Sequence, residues 1–207
     1  MLPQRIVAIG SSSLFGLVDP QGGGYIGRLK TWHENQNINN KVYNLGISGD
    51  TTTGMLKRFP PEVSIRKPNL ILITSGLNDT RKIGGKSKPP TTPVEQFKKN
   101  IETLIKKGKT LTDVVFISVF PIDDKKTSPL LYWNHDDYFY CMTDAIKYAK
   151  IVNSICETER VPYLDIFNEW LHQDYKQWLF EDGLHANAVG HEKIYKSLKS
   201  FLLNLYS

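Results

Sequence analysis

The chain opens on a compact apolar run, Arg5-Ile6-Val7-Ala8-Ile9, that breaks at once into Gly10-Ser11-Ser12-Ser13-Leu14-Phe15-Gly16. A run rich in β-branched residues and bounded by glycine predicts a buried first strand over 5–10. Further apolar runs at 41–46, 69–75, 113–119 and 162–166 predict four more strands, with helical stretches between them. That alternation limits the fold to an α/β class with a parallel sheet. Leu70-Ile71-Leu72-Ile73 and Val114-Val115-Phe116-Ile117 are apolar throughout, as strands covered on both faces must be. Ligands in such sheets bind beyond the carboxyl ends of the strands. A serine on the turn after the first strand is therefore placed to do chemistry, although a turn or helix-cap hydroxyl would look the same.

Three intervening helices can be read from their apolar stripes. Thr92-Pro93-Val94-Glu95 reads as an N-cap, a proline at the first position and a capping-box glutamate. Val94, Phe97, Ile101, Leu104 and Ile105 then line one face, and Gly108 is expected to stop the helix. Ala145, Tyr148, Ala149, Val152, Ile155 and Cys156 make a second stripe, and Ile194, Leu198, Phe201, Leu202 and Leu205 a third. No internal repeat or low-complexity linker interrupts the chain, and Gly84–Pro90 reads as a mobile loop. At 207 residues, with 40% apolar and 23% charged residues, the expectation is a single domain, 1–207.

Three later segments carry chemistry-bearing residues: Asn44-Leu45-Gly46-Ile47-Ser48-Gly49-Asp50-Thr51, Ser75-Gly76-Leu77-Asn78-Asp79-Thr80 and Asp182-Gly183-Leu184-His185. With the first turn, and in this order, they resemble the blocks of the SGNH (GDSL-type) hydrolases over residues 5–187. Each block alone is weak, whereas four in register are specific. The resemblance implies a flavodoxin-like three-layer α/β/α sandwich with a five-stranded parallel sheet in the order 2-1-3-4-5. It also implies Ser12 as nucleophile, Asp182 and His185 as the other triad members, and an oxyanion hole from Ser12, Gly49 and Asn78. Three positions depart from the family pattern. Ser11 stands where Asp is usual, Ser13 where Leu is frequent, and Ala186 where Pro commonly follows the histidine.

The residue types suit acyl transfer. A serine hydroxyl needs a neighbouring base, and imidazole titrates near neutrality. Asp182, three residues before His185, can orient the ring and stabilise its cation. Backbone N–H groups at Ser12 and Gly49 and the Asn78 amide can receive the charge that forms on the substrate oxygen. The expected activity is hydrolysis of carboxylic esters, with short acyl groups, through an acyl-enzyme and without cofactor or metal. A small-molecule ester is the expected partner. Acyl transfer to an alcohol, a catalytically degenerate carbohydrate- or lipid-binding protein, and a nucleotide-binding flavodoxin-like protein are the alternatives. For Asn78-Asp79 the structural alternative is an Asx turn, and for His185 a surface-loop histidine; Asp79 is expected to order its loop.

Other features carry less. Gly22, Gly24 and Gly27 spell G-x-G-x-x-G but do not directly follow the strand, so a flexible loop entering a helix is expected. Leu14 occupies the last position of G-x-S-x-G, against an α/β-hydrolase elbow. His135-Asp136-Asp137 and the pair His185/His191 lack a recognised metal spacing, and His191 is expected on a helix face. His33 and His172 carry no signal. A net charge of +5 is spread over helical lysines, so no nucleic-acid partner is expected. No apolar run is long enough to span a bilayer, no signal peptide is visible, and two cysteines make no disulfide framework. A cytoplasmic protein is the expectation. The aromatic stretch 130–140 reads equally as a pocket wall, as packing under a loop, or as a subunit contact.

Overall fold

Alternation of side chains along the first strand sets the layers. In the computed structural model, which describes residues 2–207, β1 (Arg5–Gly10) turns Ile6 and Ala8 to one apolar cluster and Val7 and Ile9 to another. Both faces must then be covered by helices. β2 (Lys41–Gly46), β3 (Leu70–Ile73), β4 (Asp113–Ile117) and β5 (Tyr163–Leu164) complete one sheet in the order 2-1-3-4-5. Every neighbouring pair is parallel, with Ile6 opposite both Val42 and Leu70, and Phe116 opposite Tyr163. The expected sheet is therefore present, with strand ends differing from the sequence reading by a few residues.

After the short α1 (Ser12–Phe15) comes α2 (Gly24–Glu34), followed by α3 (Thr52–Val63), α4 (Val94–Lys109), α5 (Met142–Glu159) and α6 (Ala188–Leu205). α2 and α6 supply Tyr25, Ile26, Leu29, Ile194, Leu198 and Leu202 to one face of the sheet. α3, α4 and α5 cover the other with Met55, Phe59, Phe97, Ile101, Tyr148 and Val152. Burying a large apolar side chain contributes about 1.5–3 kcal/mol, so these two layers hold the molecule together. A third cluster, with Leu77, Ile122, Leu130, Tyr140 and Leu184, caps the carboxyl edge of the sheet. None of the helices among the described residues is long and apolar enough to cross a membrane.

Two local readings are corrected. Thr92 does not cap α4: Pro93 precedes the helix without a side-chain cap, and the Thr92 hydroxyl goes to buried Asp79 instead. Gly108 does not end α4, which runs on to Lys109; a Cβ there would lie 2.6 Å from Val114 Cγ2, so the glycine lets helix and strand approach. The segment 84–90 is tied at both ends. Lys82–Ile83 pairs antiparallel with Tyr138–Phe139, and Lys82 also bridges to Pro90. This small ribbon holds the aromatic stretch over the carboxyl edge of the main sheet.

Candidate active site

Ser12 is the first residue of α1, immediately past the end of β1. The turn is kept tight by backbone packing. Gly16 closes α1 at φ +90°, a conformation that favours glycine, and a Cβ on Gly24 would lie 2.5 Å from its Cα. The glycine-rich entry to α2 is thus used in seating α1 against α2. It is pinned where Gly23 N donates to Asp19 O at 2.9 Å and Gly24 N to Asp19 Oδ2 at 3.2 Å. Asp19 is itself clamped by Arg28.

His185 Nε2 lies 2.9 Å from Ser12 Oγ, across 173 positions of sequence. Its Nδ1 lies 2.6 Å from Asp182 Oδ2. The loop carrying both residues is closed by bonds from Phe180 N to His185 O at 2.7 Å and from Asn187 N to Trp178 O at 2.9 Å. Asp182 is 1% exposed and accepts four donors. Leu184 N and His185 N reach Oδ1 at 2.8 and 2.9 Å, while the His185 ring and Trp133 Nε1, at 2.8 Å, share Oδ2. Burial by itself would raise the Asp182 pKa. The His185 bonds and charge, with the Trp133 bond, outweigh it and hold the carboxyl below its ordinary range.

Gly49 projects from the loop after β2 at φ +79°, with nothing within 4 Å of where a side chain would begin. Asn78 follows β3, and its amide is fixed at both atoms. Nδ2 donates to Asp50 O at 2.9 Å, and Oδ1 accepts from the Tyr140 hydroxyl at 3.1 Å. Burial pushes the Tyr140 hydroxyl up to about 12, so it remains a donor at neutral pH. Arg58 joins the first two blocks, donating to Asp50 Oδ2 at 2.7 Å and to Gly10 O at 2.9 Å. Asp79 orders its loop as expected, accepting from Thr52 N at 3.1 Å and Thr52 Oγ1 at 2.6 Å. Desolvation raises its pKa despite the bonds from Thr52, Thr92 and Ser75.

Four of the five sequence-selected residues, Ser12, Gly49, Asn78 and His185, border one cleft of about 240 Å³, and Asp182 stands behind His185. Trp133, His135, Tyr138 and Tyr140 from the aromatic stretch wall the same cleft with Arg81. A second space, of about 20 Å³, lies against Ser12 between Tyr25, Ile117, Phe120 and Ile194. Sequence reading marked the aromatic stretch but missed that Trp133 binds Asp182 and Tyr140 binds Asn78. Composition flagged the stretch; nothing in it indicated which rings would donate. His191 lies on a helix as expected, on its inward face: it is 0% exposed and stacked on Tyr25 with ring centroids 5.8 Å apart, because α6 turns it under the α1–α2 junction.

A parallel sheet in the order 2-1-3-4-5, with serine, imidazole and carboxylate in one hydrogen-bonded line beyond its carboxyl edge, is the architecture of the SGNH hydrolases. Residues 8–193 match the model of the GDSL-like Lipase/Acylhydrolase family, and the chain belongs to that family. It is a carboxylic ester hydrolase. An acetylxylan esterase from Geobacillus stearothermophilus is 23% identical over 205 residues, spanning 91% of this chain and 89% of that protein. An arylesterase from Vibrio mimicus is 31% identical over 144 residues, 70% of this chain and 60% of its own length. Among solved structures, a lipase/acylhydrolase from Enterococcus faecalis superimposes with a TM-score of 0.78 at 23% identity, over 97% of this chain and 96% of that one.

Proposed function

We propose that this esterase cleaves short-acyl esters through an acyl-enzyme on Ser12. The observation that carries the reading is the unbroken line from Ser12 Oγ to His185 Nε2 at 2.9 Å and from His185 Nδ1 to Asp182 at 2.6 Å. With Nδ1–H donated to the carboxylate, Nε2 accepts the hydroxyl proton as Ser12 attacks the ester carbonyl. The oxyanion then meets the Ser12 and Gly49 N–H groups and the remaining N–H of Asn78. Each such donor contributes roughly 10²–10³ in rate. His185 returns its proton to the leaving alcohol, and water reverses the sequence to release the acid. Every proton taken is returned, so the residues of the site suffice.

Short acyl groups follow from the space at the nucleophile. About 20 Å³ lies on the β4 side of Ser12, enough for about one methyl-sized group. The larger cleft, walled by Trp133, His135 and Tyr138, receives the alcohol. Acetylated sugars and aryl esters, the substrates named for the two relatives, both fit this division. The test is kcat/KM for acetyl, butyryl and octanoyl esters of one alcohol, with mass spectrometry after treatment with a serine-directed phosphonate. Acetyl preference and an adduct on Ser12 are expected. Faster octanoyl turnover would overturn the acyl assignment, and absence of both turnover and adduct would favour a binding protein.

A further inference from the structure

Arg81 is the only side chain with a fixed charge lining the cleft. Its backbone is held from both sides: Arg81 N donates to Asn78 O at 3.3 Å, and Thr91 N donates to Arg81 O at 2.7 Å. The guanidinium lies over the Tyr138 ring, 4.6 Å from its centroid, and against the Tyr140 hydroxyl. Tyr140 in turn bonds Asn78, so the cation stands one side chain away from the oxyanion hole. Arg81 Nε is buried and has no hydrogen-bond partner. Leaving such a donor unsatisfied costs free energy, and no protein group among the described residues offsets that cost.

Two other partly buried arginines are committed to carboxylates: Arg28 is paired with Asp19 and Glu192, and Arg58 with Asp50 and Glu62. Among the described residues no carboxylate is within ion-pair reach of Arg81, and none lines the cleft. Asp136 and Asp137 lie on the same loop as His135 but are exposed and outside the cleft lining. A guanidinium stacked on an aromatic ring can still offer terminal N–H groups to an oxyanion such as a carboxylate or phosphate.

We propose that Arg81 forms an anion subsite and that the alcohol portion of the substrate carries an anionic oxygen group. The proposal rests on the esterase reading above, because the cleft is where that reading seats the alcohol. An anion held there adds binding to both ground and transition states, and it selects among esters that the triad alone would treat alike.

The test compares acetate esters differing only in charge. Acetoxyacetate, 3-acetoxypropanoate and 4-acetoxybutanoate are each set against the corresponding carboxamide, and 2-acetoxyethyl phosphate against 2-methoxyethyl acetate. The readout is the ratio of kcat/KM, anionic over neutral, in the wild-type protein and in Arg81→Gln. A ratio of roughly ten or more for at least one spacing is expected, falling to about one or below in the variant. Using a ratio removes any general loss of folding or of Asn78 alignment in Arg81→Gln. A ratio near or below one for every wild-type pair, or one that persists in the variant, would overturn the subsite. If none of the esters, neutral ones included, is cleaved, the esterase reading fails instead.

Discussion

His185 and His191 are six positions apart, both buried, and surrounded differently. His185 is wired on both nitrogens, Nδ1 to Asp182 and Nε2 to Ser12. No side chain hydrogen-bonds either nitrogen of His191, whose ring is stacked on Tyr25 beside the Asp19–Arg28 pair and the Leu17 backbone. Desolvation holds the His191 pKa down to about 4, with Asp19 and a bond to the Leu17 backbone opposing and Arg28 assisting. Burial alone thus leaves a histidine as a packing ring, while directional partners on both sides orient its two nitrogens. The region around His185 trades apolar packing for hydrogen bonds to Asp182, Trp133, Asn78 and Tyr140. The region around His191 does the reverse.

The largest expected effect separates the two directly. His185→Ala should lower kcat/KM for a short-chain ester by about 10⁴ or more, since nothing else near Ser12 can take its proton. His191→Leu should keep kcat/KM within about threefold while leaving one apolar ring-sized site filled by an apolar side chain. A folded His191→Leu protein without activity would break the contrast. Asn78→Ala comes next: on the proposal that its amide meets charge present only in the transition state, kcat should fall by roughly 10²–10³ with KM little moved. A rise in KM at unchanged kcat would make Asn78 a substrate-positioning group.

The inert ring should show itself in stability. His191 titrates near 6.5 when unfolded and near 4 in the fold, so above pH 6.5 both states are neutral and it contributes no pH dependence. As pH falls from 6.5 to 4 the unfolded chain gains a proton that the fold refuses. Up to about 3 kcal/mol of stability should be lost across that window, and none further below it. Urea unfolding from pH 7 to 4 should show a shallower slope for His191→Leu than for the wild type; identical slopes would mean that His191 titrates freely. The smallest effect concerns Trp133. Trp133→Phe keeps an aromatic edge beside His185 but removes the N–H donor to Asp182. A loss of about tenfold, mostly in kcat, is expected. A loss confined to KM would make Trp133 only a wall of the cleft.

The comparison also sorts what could be read early. His185 was legible because Asp182 lies three residues before it, close enough for a local turn to bring carboxylate to ring. His191 was legible as a helix residue but not as a buried one, because only the packing of α1 against α2 decides which face of α6 turns inward. Thr92 was misread for a related reason. Its hydroxyl was available for the helix end, but buried Asp79, 13 positions earlier, needed the donor more. Ser11, which stands where Asp is usual, makes no side-chain cap bond. The turn is held by Gly16 against Gly24 instead.

By itself the sequence determined the parallel sheet, three of its helices and the chain order of the chemistry-bearing loops, because apolar periodicity and glycine placement act over short stretches. It also determined the pairing of Asp182 with His185. The tertiary structure alone decided which distant side chains complete the site. Trp133 reaches Asp182 across 49 positions, Tyr140 reaches Asn78 across 62, and Arg81 is left without a carboxylate. The physical reason is that hydrogen bonds and ion pairs need their partners within a few ångströms. No local pattern records that proximity, because the folding of the aromatic loop over the sheet edge is what creates it.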